Sequence, residues 1–207
     1  MAPTVHAAPA PGYSRIGLFS AALPLLLFAA LCLGWPQIVK GAVLSVQWPW
    51  VPSLEIGLQF RLDGLSLLFG LIVTGSGVLV VLFASSYMAG HPQAGRFFAY
   101  LHAFMLAMLG IVMADNLLLM FIFWEITTLI SYLLIGFDHE SGTARGHARQ
   151  ALLVSAAGGL ALLVGILLLK IAGGSLIPSQ WMEADQQIRQ HPLYAAILIT
   201  ILLGAMT

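Results

Sequence analysis

One carboxylate lies inside a strongly apolar stretch of the sequence. The stretch is FIFWEITTLISYLLIGF, residues 121–137, and the carboxylate is Glu125. If this stretch crosses a bilayer, Glu125 lies near the middle, where insertion scales assign an ionised acid a cost of roughly 2.5 to 3.5 kcal/mol. The Glu125 side chain is too short to reach the headgroups from this depth. It must therefore face protein or water. Ionisable residues at such positions are typical of ion or proton pathways.

Further polar side chains follow Glu125 along the same predicted helix. Thr128 and Tyr132 lie at i+3 and i+7 and share its face, while Thr127 and Ser131 occupy the adjoining face. We expect this polar stripe to point into a helix bundle and to support a proton or ion relay at Glu125. The alternative is a structural glutamate whose carboxyl group hydrogen-bonds a neighbouring helix and serves assembly only.

A histidine, His102, lies within the apolar segment FFAYLHAFMLAML. Imidazole titrates near neutral pH in water, so His102 could exchange protons, or it could be a neutral side chain bonded to a neighbouring helix. The sequence shows no second His or Cys at metal-ligand spacing, no phosphate-binding glycine loop and no Ser/His/Asp constellation. We therefore predict no enzyme, no cofactor and no metal site.

The composition indicates a membrane protein. Of 207 residues, 60% are hydrophobic and only 8% are charged, which is too little charge for a soluble surface. The 8 basic and 8 acidic residues cancel, so nothing suggests a nucleic-acid partner. Cys32 is the single cysteine, which excludes an internal disulfide and a thiolate metal cluster.

Apolar runs of about 20 residues, the length that crosses a bilayer, predict an all-α polytopic membrane protein with an antiparallel transmembrane helix bundle. The complete runs are 16–34, 65–88, 97–113, 116–137 and 148–171. Residues 65–171 thus form a predicted four-helix transmembrane core. The last run, 193–207, would be about 22 Å long and begins a transmembrane helix without completing it, so we expect an N-terminal fragment.

The segments between these runs are expected to be loops. Residues 1–15 form an Ala/Pro-rich tail with no packed structure expected. Within 35–64, the alternation in SVQWPWV and LEIGLQFRL predicts a short hairpin. Residues 172–192 form the second long loop.

Loop charge predicts the orientation. Arg96, Arg145 and Arg149 adjoin the short turns 89–96 and 138–147, and basic residues beside short loops favour the cytoplasmic side. The two long loops are then extracytoplasmic.

From about Phe60 to Gly165 the sequence resembles the antiporter-like membrane subunits shared by Mrp-type cation/proton antiporters and respiratory complex I. The resemblance is carried by FRLDGLSLLFGLIVTGSGVLVVLFASSYM, RFFAYLHAFMLAMLGIVMADNLLLMFIFWEITTLISYLLIGF and ARGHARQALLVSAAGGLALLVGILLL. WEITTLISYLLIGF followed by SAAGGLALL is more similar to the A subunit of Mrp antiporters than to the large distal membrane subunit of complex I. Forms similar to RFFAY and ADNLLLMFIFWE occur in both.

The resemblance implies a role for Glu125, which matches the glutamate of the family's W-E motif. That glutamate pairs with a lysine on a later, broken helix and belongs to the ion-translocation machinery. Family members continue after LLGAxT with a lysine-containing KSAQ motif, so the implied partner of Glu125 lies beyond Thr207.

The implied function is a multi-pass subunit of a multisubunit monovalent cation (Na⁺)/proton antiporter in the cell inner (cytoplasmic) membrane. Its partners would be the other antiporter subunits, the lipid bilayer, protons and Na⁺ or another monovalent cation. The alternatives are a proton-pumping subunit of complex I, the NADH:quinone oxidoreductase, and a non-transporting assembly subunit.

The sequence departs from the family pattern in two respects. Members normally carry an additional helix before the one matching 16–34, whereas only the Ala/Pro tail precedes it here. His102 and His147 occupy positions where the family has other residues, so neither inherits a family role.

Overall fold

The computed structural model describes residues 15–51, 56–173, 175–180 and 188–207. The expected tail 1–15 lies almost entirely outside these ranges. The helices are α1 Arg15–Ser20, α2 Ala22–Val39, α3 Gly64–Tyr87, α4 Ala94–Met113, α5 Leu117–Ile135, α6 Gly142–Ile171 and α7 Tyr194–Ala205. The strands are β1 Leu44–Val51 and β2 Ile56–Leu62, and a 3₁₀ turn covers Pro178–Gln180.

Within the described ranges, five helical segments are long and apolar enough to cross a membrane, which confirms the predicted all-α polytopic class. They are Ile16–Val39, formed by α1 and α2, and the helices α3, α4, α5 and α6. The apolar helix α7 is shorter, at 12 residues. The sheet is one antiparallel pair in the 35–64 segment, with Leu44 opposite Leu62 and Gln47 opposite Gln59.

The first span ends later than the sequence suggests. The apolar run predicted a boundary at residue 34, but α2 continues through Pro36 to Val39. The helix ends where Gly41 adopts the left-handed conformation, with φ of 89°. The Ala42 N–H then donates to the Gln37 carbonyl at 3.1 Å and the Gly41 N–H to the Ile38 carbonyl at 2.9 Å. This Schellman-type ending shows that the glycine, not the proline, sets the boundary.

The spanning helices pack against one another in chain order, from α2 against α3 to α6 against α7, and α1 lies against α3 and α4. Glycines make several of these contacts close. A Cβ on Gly77 would lie 2.8 Å from the Met105 sulfur, and one on Gly110 would collide with the Phe123 ring. Small residues at helix contacts are typical of membrane bundles, in which backbones approach closely to gain van der Waals packing.

At one end of the bundle, which we call the hairpin end, the turn 114–116 between α4 and α5 joins two other segments. The Asp115 N–H donates to the Gln59 carbonyl of β2 at 2.8 Å. The Asp115 carboxylate accepts from the Ser179 N–H at 3.2 Å and from its hydroxyl at 2.8 Å. The Leu117 N–H donates to the Leu176 carbonyl at 2.8 Å. The hairpin and the segment after α6 therefore lie at the same end.

The same end contains the cap of α3. The Asp63 carboxylate accepts from the backbone N–H groups of Leu65 and Ser66, and the Asp63 N–H donates to the Ser66 hydroxyl at 2.7 Å. Burial alone would raise the pKa of Asp63. The hydrogen bonds from Ser66 and the nearby Arg61 guanidinium, at 3.2 Å, outweigh that effect and lower it.

Candidate functional site

Glu125 extends from α5 toward α6. The side chain is half-buried, and its Oε1 atom is enclosed without a hydrogen-bond partner among the residues that the structure describes. Burying a carboxyl oxygen is unfavourable unless it is protonated, pairs with a cation or accepts a hydrogen bond. The position is therefore chemically suited to accepting a proton or pairing with a positive charge.

Gly159 of α6 makes this placement of the carboxyl group sterically possible. A Cβ at position 159 would collide with Glu125 Oε1 and would lie 3.0 Å from its Cδ. The preceding residue, Gly158, faces α7 instead, where a Cβ would overlap the Thr207 hydroxyl. Two adjacent glycines on α6 thus contact different neighbours. Gly159 packs against the Glu125 carboxyl group, and Gly158 packs against the end of the α7 segment.

The threonines next to Glu125 bond to their own helix. Thr128 is 8% exposed, and its hydroxyl donates to the Trp124 carbonyl at 3.3 Å. The Thr127 hydroxyl donates to the same carbonyl at 2.7 Å. Such back-bonding satisfies a hydroxyl locally. Within the described part of the chain, neither threonine is hydrogen-bonded to Glu125.

The predicted polar stripe continues toward the opposite end of the bundle, which we call the arginine end, comprising the turns 88–93 and 136–141 and the helix ends beside them. Tyr132 lies two helical turns beyond Glu125, roughly 10 Å along the axis. It lines a cavity of about 220 Å³ at the arginine end together with Arg96 and Arg145. Ser131 is half-buried on α5 beside it.

His102 is positioned for a different contact. Its Nε2 donates to the Ser20 carbonyl of α1 at 2.9 Å, and the Ser20 hydroxyl lies 3.4 Å from Nδ1. The imidazole therefore joins α4 to α1. The structure does not bring His102 and Glu125 together through any hydrogen bond among the described residues.

Sequence reasoning did not identify Gly159 as a neighbour of Glu125. In the sequence, small residues repeat at Ala151, Ser155 and Gly159, which is typical of close helix packing, but the repeat alone does not show which side chain fills the space. The Asp115–Ser179 contact was also missed, because nothing in the local pattern links two loops separated by the two helices α5 and α6.

Two family models match consecutive parts of the chain. Residues 48–98 match the N-terminus of chain 5 of NADH-ubiquinone oxidoreductase (complex I), and residues 114–207 match the transmembrane family named NADH:quinone oxidoreductase/Mrp antiporter. The second match contains Glu125, Gly159 and the whole α5–α6 contact.

Relatives with related descriptions align over most of the chain. A protein of Rhizobium meliloti, described as the probable A/B component of a K(+)/H(+) antiporter, is 40% identical over 96% of this chain and 20% of its own length. A protein of Staphylococcus haemolyticus, described as the A1 component of a Na(+)/H(+) antiporter, is 36% identical over 93% of this chain and 24% of its own. The chain thus spans about a fifth to a quarter of these relatives.

A solved structure has the same fold. A chain in the structure of the Mrp complex from Dietzia sp. DQ12-45-1b superposes with a TM-score of 0.75 and 28% identity, over 92% of this chain and 20% of that one. The sequence matches and the shared helix arrangement agree with each other. The chain belongs to the family of antiporter-like membrane subunits shared by Mrp antiporters and NADH:quinone oxidoreductase, and its relatives include proteins described as antiporter A subunits.

Proposed function

We propose that this chain is part of one subunit of a multisubunit monovalent cation/proton antiporter and that Glu125 belongs to its ion-translocation path. The observation that carries the proposal is the enclosed, unpartnered Oε1 atom of Glu125 inside an apolar helix bundle, among the residues that the structure describes. A structural glutamate would be expected to use its carboxyl oxygens in hydrogen bonds to neighbouring helices. A relay instead needs an oxygen that is free to exchange partners.

The position of Thr207 supports a positive partner for Glu125. Thr207 packs on Gly158 and Glu125 packs on Gly159, so the two lie at the same level along α6. The family pattern places a lysine shortly after the residue matching Thr207. In the full-length protein such a lysine would reach the level of the Glu125 carboxyl group, and proton arrival would compete with that ion pair.

The transported cation is proposed as a monovalent one, with Na⁺ tested first. The relatives are described as components of a K⁺/H⁺ antiporter and of a Na⁺/H⁺ antiporter. Both descriptions share proton exchange and a single positive charge on the cation. We also propose that the protein lies in the inner (cytoplasmic) membrane among other antiporter subunits, with the arginine end in the cytoplasm.

The test compares Glu125→Gln and Glu125→Asp in the full-length protein, assembled with its partners in inside-out membrane vesicles. Proton movement on addition of Na⁺ or K⁺ is followed with a pH-sensitive dye. Glu125→Gln keeps the size but cannot ionise, so we expect exchange to be abolished or nearly so at normal complex abundance. Glu125→Asp should retain partial exchange.

Glu140→Gln is the matched control, because Glu140 is an exposed carboxylate in the turn after α5. It should leave exchange unchanged. Normal exchange by a fully assembled Glu125→Gln complex would overturn the relay role and favour a non-transporting assembly subunit.

A redox-driven proton-pumping subunit is the second candidate, since the family models carry the name of NADH:quinone oxidoreductase. The same vesicles distinguish the two. An antiporter exchanges in response to a cation gradient alone, whereas a complex I subunit moves protons only while NADH is oxidised.

A further inference from the structure

A cavity of about 220 Å³ opens at the arginine end, between α4, α5 and α6. Its lining combines basic and hydroxyl-bearing side chains with a few apolar ones. The polar residues are Arg96, Tyr100, Tyr132, His139 and Arg145. Two arginines from different helices therefore line one space large enough for a phosphate group.

Both guanidinium groups are held in place by uncharged partners. Arg96 lies over the Phe137 ring, 4.9 Å from its centre, and donates to the Phe137 carbonyl at 3.4 Å. Arg145 donates to the carbonyls of His139 and Glu140. The turn 136–141 thus fixes the two arginines without neutralising either.

Within the described residues, no acid forms an ion pair with Arg96 or Arg145. Asp138 and Glu140 are exposed in the same turn, but within the described ranges the ion pair that forms is Arg61–Asp63, at the other end of the bundle. A guanidinium carries five N–H donors, and the carbonyl contacts occupy only some of them. Donors remain for an anion at each arginine.

The cavity lies at the ends of three helices long enough to span a membrane, where lipid headgroups are expected. Arg96 is in the first turn of α4, Arg145 in the first turn of α6 and Tyr132 in the last turn of α5. Tyrosine and arginine are common at this level of a membrane protein. The planar fork of arginine matches pairs of phosphate oxygens, and basic pockets between membrane helices suit anionic headgroups.

We propose that this cavity binds the phosphate group of an anionic phospholipid from the adjoining leaflet. The two guanidinium groups contact the phosphate oxygens, and the tyrosine hydroxyls donate to the remaining acceptors. Soluble phosphate shares this chemistry, so the test must separate the two sources.

The experiment uses the full-length protein in its assembled complex, reconstituted in nanodiscs of phosphatidylcholine with or without phosphatidylglycerol. The thermal unfolding midpoint is measured as phosphatidylglycerol is increased, and native mass spectrometry counts retained lipid. Arg96→Gln with Arg145→Gln should weaken phosphatidylglycerol binding by about tenfold or more, because charge-assisted hydrogen bonds are lost. Arg149→Gln removes the same charge from α6 at an exposed residue outside the cavity lining, and should bind like the wild type.

A single Arg96→Lys variant keeps the positive charge beside the short turn but lacks the planar guanidinium that pairs with two phosphate oxygens. It tests lipid binding if the double variant fails to assemble. We expect it to bind phosphatidylglycerol more weakly than the wild type. Equal binding by wild type and Arg96→Lys, or by wild type and the double variant, overturns the proposal. Arginine-dependent stabilisation by inorganic phosphate in phosphatidylcholine alone, with no response to phosphatidylglycerol, overturns the lipid source.

Discussion

The carboxyl group of Glu125 on α5 packs against the backbone of Gly159 on α6 so closely that position 159 has no room for a Cβ. The contact couples the one charged side chain of α5 to the helix that also contacts α7. Any side chain at position 159 must move either the carboxyl group or a helix. Position 159 is thus a sensitive test of whether the place of the carboxyl group matters for transport.

Gly159→Ala should reduce cation/proton exchange by roughly tenfold to a hundredfold, the range expected when a reacting group is displaced by about 1 Å. The matched control is Gly146→Ala, in the same helix, where an added Cβ meets nothing within 4 Å. That substitution should leave exchange unchanged and should not destabilise the helix. Exchange is measured per assembled complex in vesicles, and equal rates for the two variants would contradict the importance of this contact.

His102→Ala should affect stability rather than transport. The substitution removes the hydrogen bond to the Ser20 carbonyl, and such bonds contribute about 0.5 to 1.5 kcal/mol. We expect a lower thermal unfolding midpoint in detergent but an unchanged pH profile of exchange. His147→Ala, at an exposed histidine of α6, is the control. A shifted pH profile in a stable His102→Ala complex would instead support the relay interpretation.

Asp63 should make stability depend on acid pH. Its pKa is lowered in the folded protein by Ser66 and Arg61, so the ionised cap stabilises the fold at any pH above the unfolded pKa of about 3.9. This stabilisation disappears as the pH falls through the folded pKa. Asp63→Ala should cost about 0.5 to 2 kcal/mol near neutral pH and much less in strong acid. Thermal unfolding at several pH values checks the prediction. A loss of stability in Asp63→Ala that does not change with pH would show that the charge of Asp63 is not its cause.

The orientation can be tested by thiol labelling in a Cys32→Ser background. Gln93→Cys lies at the arginine end and Gln47→Cys on the exposed hairpin strand β1. An impermeant thiol reagent applied to intact cells should modify Gln47→Cys, and after membrane inversion it should modify Gln93→Cys. The reverse pattern would place the arginine end outside the cell.

The membrane fold was predictable because its signal is local. Each span is a continuous apolar run, and Glu125 stood out because a charge inside such a run is costly. The end of α2 was less predictable. The apolar run ends near residue 34, but a membrane helix can tolerate a proline, so α2 passes through Pro36 and ends before Gly41. The neighbours of Glu125 were not predictable, because the choice of Gly159 rather than Gly158 depends on how α6 is rotated against α5 and α7.

The junction at Asp115 has a consequence for biosynthesis. Its carboxylate is completed by Ser179, which is 64 residues later in the chain and follows the whole of α6. The ribosome synthesises α4 and α5 before Ser179. The Asp115 carboxylate therefore stays hydrated until α6 has been inserted and Ser179 has emerged on the same side. The hairpin end is therefore completed late, and an error in the insertion of α6 leaves a hydrated carboxylate where the folded protein has a buried one.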